Sequence, residues 1–217
     1  KFRLSILNDT PPQEKKHAED FIKANTKSVV SLYLIRKYFF ANSSPDYDKA
    51  LSLLALLEKE QGKDPLFGKM KTWATNTKNS SKGKQLPTFT AYDLNGKLVS
   101  SADLSSAPVA VIYTWASFNY DSQELQRELK RRQKKSNGRL KLMGFCLDAS
   151  KYDCKQNIKR DSITSPTICN GEMLEDKTLN KLGLKSLPNI ILLQNGKIIA
   201  RDMKKQELYS KLDELLK

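Results

Sequence analysis

The residues whose types bear most directly on chemistry are the run Asn119-Tyr120-Asp121-Ser122 and three cysteines, Cys146, Cys154 and Cys169. An asparagine amide attacks nothing, and a serine hydroxyl is a nucleophile only beside a base. The single histidine, His17, lies far upstream. Cys146 stands in an apolar run and reads as a packed, inert thiol. Cys154 falls in a predicted helix after Asp148-Ala149-Ser150, and Cys169 stands near a loop, between Ser165-Pro166-Thr167-Ile168 and Asn170-Gly171. No two cysteines form a Cys-x-x-Cys and none has a neighbouring histidine. Thiolate or imidazole ligands at metal-site spacing are therefore missing, and no metal is expected. A Cys154–Cys169 disulfide is open on the sequence, and three cysteines leave one unpaired in any case.

The elements that must position these residues are legible around them. Val109 to Tyr113 is an apolar run of strand type, and a charged, helix-favouring run follows Ser122 to Lys135. Asn119 suits an N-cap and Asp121 suits the positive end of that helix, so the run also reads as a well-built helix start. Ser186-Leu187-Pro188 leads into a second apolar strand, Asn189 to Leu193, and Gln194-Asn195-Gly196-Lys197 turns it into a last one. Leu208, Leu212, Leu215 and Leu216 recur at helical spacing near the end. Leu86-Pro87-Thr88-Phe89 and Asp93-Leu94-Asn95-Gly96-Lys97 predict a hairpin, and Leu140 to Leu147 a strand ending at Asp148.

Upstream, four helices are predicted: Thr10 to about Ala24, Ser28 to Phe40, one capped by Ser44-Pro45-Asp46 and stopped at Gly62, and Asp64 to about Thr77. Two are apolar on more than one face and must pack against each other and something else. Phe2, Leu4 and Ile6 alternate like one remnant strand within residues 2–7. Residues 79–85 have linker composition.

The ordered set from Leu86 to Lys217 resembles the periplasmic thioredoxin-like thiol-disulfide oxidoreductases, of the cytochrome-maturation and alkyl hydroperoxide reductase-like superfamily. Their strand ends in Trp-Ala-Ser/Thr-Trp-Cys-x-x-Cys; here it reads Trp115-Ala116-Ser117-Phe118-Asn119-Tyr120-Asp121-Ser122. The resemblance implies an α/β thioredoxin-like fold, a central mixed sheet flanked by helices, preceded by a small all-α unit. The division is then 1–78 helical unit, 79–85 linker and 86–217 thioredoxin-like domain. It also implies that Asn119 and Ser122 stand where the redox cysteines would, Leu125 where a proton-moving glutamate would, and Arg127 where a kinking proline would. Pro188 matches the family's cis-proline, whose neighbouring backbone pairs with an extended substrate strand. Phe118, Tyr120, Leu187 and Pro188 are the expected walls of such a groove, and Trp115 is either a further wall or core.

Three functions are consistent with these residues. The leading one is a redox-inactive cell-envelope protein that holds an extended polypeptide or partner protein near Asn119, Tyr120 and Pro188, without a cofactor. The second is thiol-disulfide exchange through Cys154 or Cys169. The third is a basic surface binder of anionic glycan or lipid, suggested by 38 Lys and Arg against 24 Asp and Glu, a net charge of +14. The densest basic run, Lys130 to Lys135, closes a predicted helix and complements its dipole. Aromatics are not interleaved with it, so nucleic-acid binding is not expected. No segment is apolar for the length of a bilayer. The resemblance implies the bacterial periplasm, with any export signal or lipid anchor upstream of Lys1.

Overall fold

The computed structural model describes residues 10–40 and 45–217. The expected strand at 2–7 and the Ser44 cap lie outside them. The chain divides into two compact units, Lys1–Lys78 and Asn79–Lys217.

The first unit is helical. Helix α1, Pro11–Ala24, opens on a capping box between Thr10 and Gln13 with proline in its first turn, where no amide is needed. Ser28 caps α2, Val29–Ile35, by accepting the Val30 N–H at 3.3 Å. That helix widens into a π-helical stretch, Arg36–Phe40, instead of running on as α-helix. Tyr38, Phe39 and Phe40 are all buried. At about 100° per residue three consecutive side chains do not share one α-helical face, and the wider winding accommodates them. Asp46 Oδ1 accepts the Lys49 N–H at 2.9 Å to start α3, Tyr47–Gln61, and α4 spans Pro65–Asn79. Ile22, Leu32, Ile35, Leu53, Leu54, Leu57 and Phe67 form the core of this unit. Val29, Val30 and Tyr33 remain exposed on α2.

The second unit is built on a five-stranded sheet. Its elements are β1 (Thr90–Tyr92), β2 (Leu98–Ser100), α5 (Ser101–Ser105), β3 (Val109–Trp115), α6 (Tyr120–Lys135), β4 (Leu140–Cys146), α7 (Lys151–Arg160), β5 (Thr167–Ile168), α8 (Lys177–Lys181), β6 (Ile190–Gln194), β7 (Lys197–Arg201) and α9 (Lys205–Leu215). The sheet order is β5-β4-β3-β6-β7, while β1 and β2 form a separate hairpin. β3 runs parallel to β4 and antiparallel to β6, so the sheet is mixed. All seven residues of β3 are buried, because both faces are covered. Ala110 and Ile112 face a core with Leu104, Leu179 and Leu182. Val111, Tyr113 and Trp115 face the opposite core with Leu125, Leu129, Leu208 and Leu212.

Asn195 and Gly196 both have positive φ, 50° and 77°, which gives the tight turn between β6 and β7. The segment 79–85, expected as a linker, belongs to this unit and is hydrogen-bonded along β7. Gly83 donates to Ile198 O at 2.8 Å, Ile198 to Lys84 O at 2.8 Å and Leu86 to Gly196 O at 3.1 Å. Backbone groups, which composition does not reveal, make these bonds. Arg201 secures the same region, donating to Ser80 O at 2.9 Å, Ser80 Oγ at 2.7 Å and Gly183 O at 3.0 Å. Among the described residues no helix is long and apolar enough to cross a membrane.

Gly144 in β4 is a point of close approach. A Cβ there would stand 3.1 Å from Tyr113 Oη, 3.2 Å from Tyr113 Cζ and 3.3 Å from Trp115 Nε1. Both rings are fully buried and have little room to move. Gly144→Ala is therefore expected to destabilise the unit by about 1–3 kcal/mol, the usual cost of overpacking. Urea unfolding followed by tryptophan fluorescence measures it; an unchanged or raised midpoint would refute the packing argument.

Candidate functional site

β3 delivers the chain at Trp115 into a turn, Ala116 to Asn119, from which α6 starts at once. The turn is pinned at several points. Asn119 N–H donates to Ala116 O at 3.2 Å and Ser117 N–H to Asp148 Oδ1 at 2.9 Å. The Gln123 side-chain amide donates to Ser117 O. Asn119 Oδ1 accepts the Ser122 N–H at 2.8 Å, which makes Asn119 the N-cap of α6. The Ser122 hydroxyl donates to Asn119 O at 2.9 Å and accepts the Ala116 N–H at 3.1 Å. It is fully buried, so its oxygen is committed to the backbone and presents no nucleophile outward. Leu125 packs in the core beside Trp115, where no proton can be relayed. Asp121 binds Lys205 Nζ at 3.1 Å from the surface.

Phe118 and Tyr120 behave differently: they are 69% and 74% exposed. Large aromatics this open on either side of a helix cap are not held there by the core. Arg127, where the resemblance has a proline, lies with its guanidinium 5.7 Å from the Tyr120 ring centroid. It also pairs with Asp161 at 3.2 Å. The hydrogen bond from Arg160, then Arg127, holds the Asp161 carboxyl below its ordinary range.

The second loop meets the same end of β3. The Thr114 hydroxyl donates to Ser186 O at 2.8 Å and accepts the Asn189 N–H at 2.7 Å. Asn189 Oδ1 accepts the Lys185 N–H at 3.0 Å. The Leu187–Pro188 peptide between these ties is cis. Among the described residues, the backbone N–H and C=O of Leu187 have no protein hydrogen-bond partner. Its side chain packs, partly buried, against the core under β3. Trp115 drops out of the expected groove: it is fully buried, because β3 is covered on both faces. Of the other expected walls, Phe118 and Tyr120 are exposed and Leu187 and Pro188 half-buried.

The cysteines yield the largest departure from the sequence reading. Cys146 ends β4, Cys154 sits in the first turns of α7 and Cys169 follows β5. Their sulfurs all lie within 4.8 Å of one another. All three are free and buried. The expectation of no metal-ligand grouping is thus corrected, since three separate elements supply the spacing that the linear sequence lacks. With every thiol protonated, Cys169 Sγ donates to Asp148 O at 3.6 Å. The first proton to leave comes from Cys169. Hydrogen bonds from Cys146 and Cys154 push it down to about 3 against the cost of burial, helped by the Gly171 amide and Lys151. Cys146 is pushed up by its bonds with Cys154 and Cys169 and by burial. At Cys154 the bond with Cys146 pulls down, but Cys169 and burial outweigh it and the thiol is pushed up. Asp148 links the trio to the turn: Oδ1 takes the Ser117 amide, while Oδ2 is buried without a hydrogen-bond partner.

The basic run closing α6 is largely engaged. Lys130 donates to Asp161 O at 2.6 Å, Arg131 binds Glu128 at 2.8 Å, and Arg132 pairs with Asp213 and lies 4.8 Å from the Tyr209 ring centroid. Such engagement leaves little of a continuous anion-binding stripe.

A strand-turn-helix with its cap at the end of β3, a cis-proline loop beside it and a mixed sheet between two layers define a thioredoxin-fold protein. No protein-family model and no curated protein matches the chain. Solved structures do. A thiol-disulfide oxidoreductase from Bacteroides fragilis is 30% identical, aligning 61% of this chain with 99% of its own, at a TM-score of 0.54. The C-terminal domain of a thiol-disulfide oxidoreductase from Bacteroides thetaiotaomicron is 27% identical, covering 64% and 97%, at a TM-score of 0.56. The chain belongs to the thioredoxin-like thiol-disulfide oxidoreductase family. A thioredoxin-like protein from Bacteroides caccae, 14% identical, matches 94% of this chain and 78% of its own at a TM-score of 0.64, a likeness of fold.

Proposed function

We propose that this protein acts in the bacterial envelope as a polypeptide-holding member of its family, with no thiol chemistry at the inherited position. The observation that carries the reading is the exposure of Phe118 and Tyr120 together with the unpaired backbone of Leu187. An extended segment could pair with that N–H and C=O as an added strand, while the two rings cover its side chains. The fixed turn and the Thr114 ties hold the surface ready, so binding orders little of the protein. Nothing in the mode requires sulfur. The envelope assignment follows the neighbours described as thiol-disulfide oxidoreductases.

The test is binding of an unfolded, fully alkylated polypeptide, read by fluorescence anisotropy. Phe118→Ala/Tyr120→Ala is expected to weaken binding by at least about tenfold, as loss of two aromatic anchors would, with stability unchanged. Equal affinity of variant and parent would sink the proposal. A second reading, thiol-disulfide exchange through Cys154 or Cys169, is favoured by the proximity of the three sulfurs and opposed by their burial. A glutathione redox titration, with each cysteine read by mass spectrometry, separates the two: a pair cycling reversibly at a mild potential would favour exchange.

A further inference from the structure

We infer that Cys146, Cys154 and Cys169 form a site for one cuprous ion, held by three thiolates. Three sulfurs within 4.8 Å of one another are gathered from β4, α7 and the end of β5, and no histidine or carboxylate joins the group. An ion at the centre of a sulfur triangle with bonds of about 2.3 Å spans edges of about 4 Å, so the observed grouping needs little closing movement. The ligand set is uniformly soft, which selects Cu(I) or zinc over hard cations. Zinc in such sites is four-coordinate, and no histidine or carboxylate stands within the sulfur group to supply the fourth bond. A d10 cuprous ion is content with three sulfurs.

The surroundings suit the charge. Cu(I) with three thiolates carries two net negative charges. The Gly171 amide bonds to Cys169, the Asp148 amide to Cys146, and Lys151 adds a cation nearby, against the Asp148 carboxylate, which disfavours the Cys154 thiolate. Cys154 lies near the N-terminus of α7, whose ten residues present the positive end of their dipole. Binding is ligation without electron transfer: every thiol still protonated releases its proton, and copper stays monovalent. Cys146 and Cys169 stand at strand ends under the loops 147–150 and 170–172, which gives the ion a short route inward. The site contains neither Phe118 nor Tyr120 and does not rest on the peptide-holding reading.

The test uses the full chain, reduced and freed of metal, titrated anaerobically with Cu(I) against a chromophoric cuprous chelator. One equivalent should be retained, with near-ultraviolet sulfur-to-copper absorption and X-ray absorption showing three sulfurs at about 2.3 Å. Loading should also protect all three thiols from alkylation, read by mass spectrometry. Cys169→Ser, which leaves β4 and α7 unaltered, should lower retention by at least about a hundredfold, the upper end of what loss of a merely supporting group costs. The protection experiment needs no variant, so a misfolded substitution cannot obscure the answer. Complete stripping of copper from the parent chain by the chelator would overturn the proposal. So would copper retention that leaves the three thiols open to alkylation, or a preference for zinc with a fourth ligand.

Discussion

Asn119→Cys combined with Ser122→Cys is expected to turn the chain into a disulfide reductant at neutral pH. The first position is the N-cap of α6 and the second lies in its first turn. A thiol at such a helix end is titrated by the dipole and by free backbone amides to between about 3.5 and 7.5, against about 8.5 for a free cysteine. The thiolate fraction at pH 7 then rises from a few per cent toward half or more, so exchange with a small disulfide should be at least about tenfold faster than in the parent chain. The thiolate of the first cysteine would attack one sulfur and expel the other as a thiolate. The second cysteine would resolve the mixed disulfide, leaving an internal disulfide and a second released thiol.

The gain has a cost that can be measured separately. Losing the Asn119 cap costs about 1 kcal/mol. Losing the two backbone hydrogen bonds of the buried Ser122 hydroxyl costs about 1 kcal/mol more. A fluorogenic disulfide assay on the double variant gives the rate, and thermal unfolding gives the cost. A folded variant with no rate above the parent's would mean that the scaffold has lost more than its sulfurs. Adding Leu125→Glu then asks whether the missing proton carrier is the cause, since Leu125 lies in the core against Trp115.

Arg201→Ala should be the most damaging single change among the polar residues. Its side chain is 8% exposed and binds Ser80 O, Ser80 Oγ, Gly183 O and Asp202. Truncation leaves two carbonyls with reduced pairing and Asp202 without this partner, at an expected cost of about 3 kcal/mol. Arg201→Lys should recover less than half of that, because an ammonium on a thinner stem cannot place donors on Ser80 and Gly183 at once. Chemical denaturation of the three proteins provides the comparison. Equal stability of Arg201→Ala and the parent would show the fork to be a surface accident.

The fold was readable because its signals are local. Asn195-Gly196 announces a tight turn by residue type alone, Val109 to Tyr113 in β3 form one apolar run, and Leu208 with Leu212 marks the inner face of α9. Asn119 as a helix cap is local in the same way. What stayed hidden is made by the sheet. Cys146, Cys154 and Cys169 come from three elements, and only the parallel pairing of β4 with β3 and β5 brings them together. Arg201 carries no signal in the sequence, since Ser80 and Gly183, which it joins, are distant along the chain. Trp115 reads equally well as wall or core until the helices on both faces are in place. The winding of Arg36–Phe40 has no motif, only three adjacent aromatics that all need an interior.

The backbone bonds between 83–86 and β7 bear on the outer edge of the sheet. β7 ends the five-stranded order, and its outer row of amides and carbonyls would otherwise be a template for another chain's strand. Gly83, Lys84 and Leu86 occupy that row, with Gln85 bridged to Lys197. The stretch therefore covers that edge around Ile198, as a guard strand would. The natural place to divide the two units lies before Ser80, because a cut after Gln85 would take the guard away with the helices.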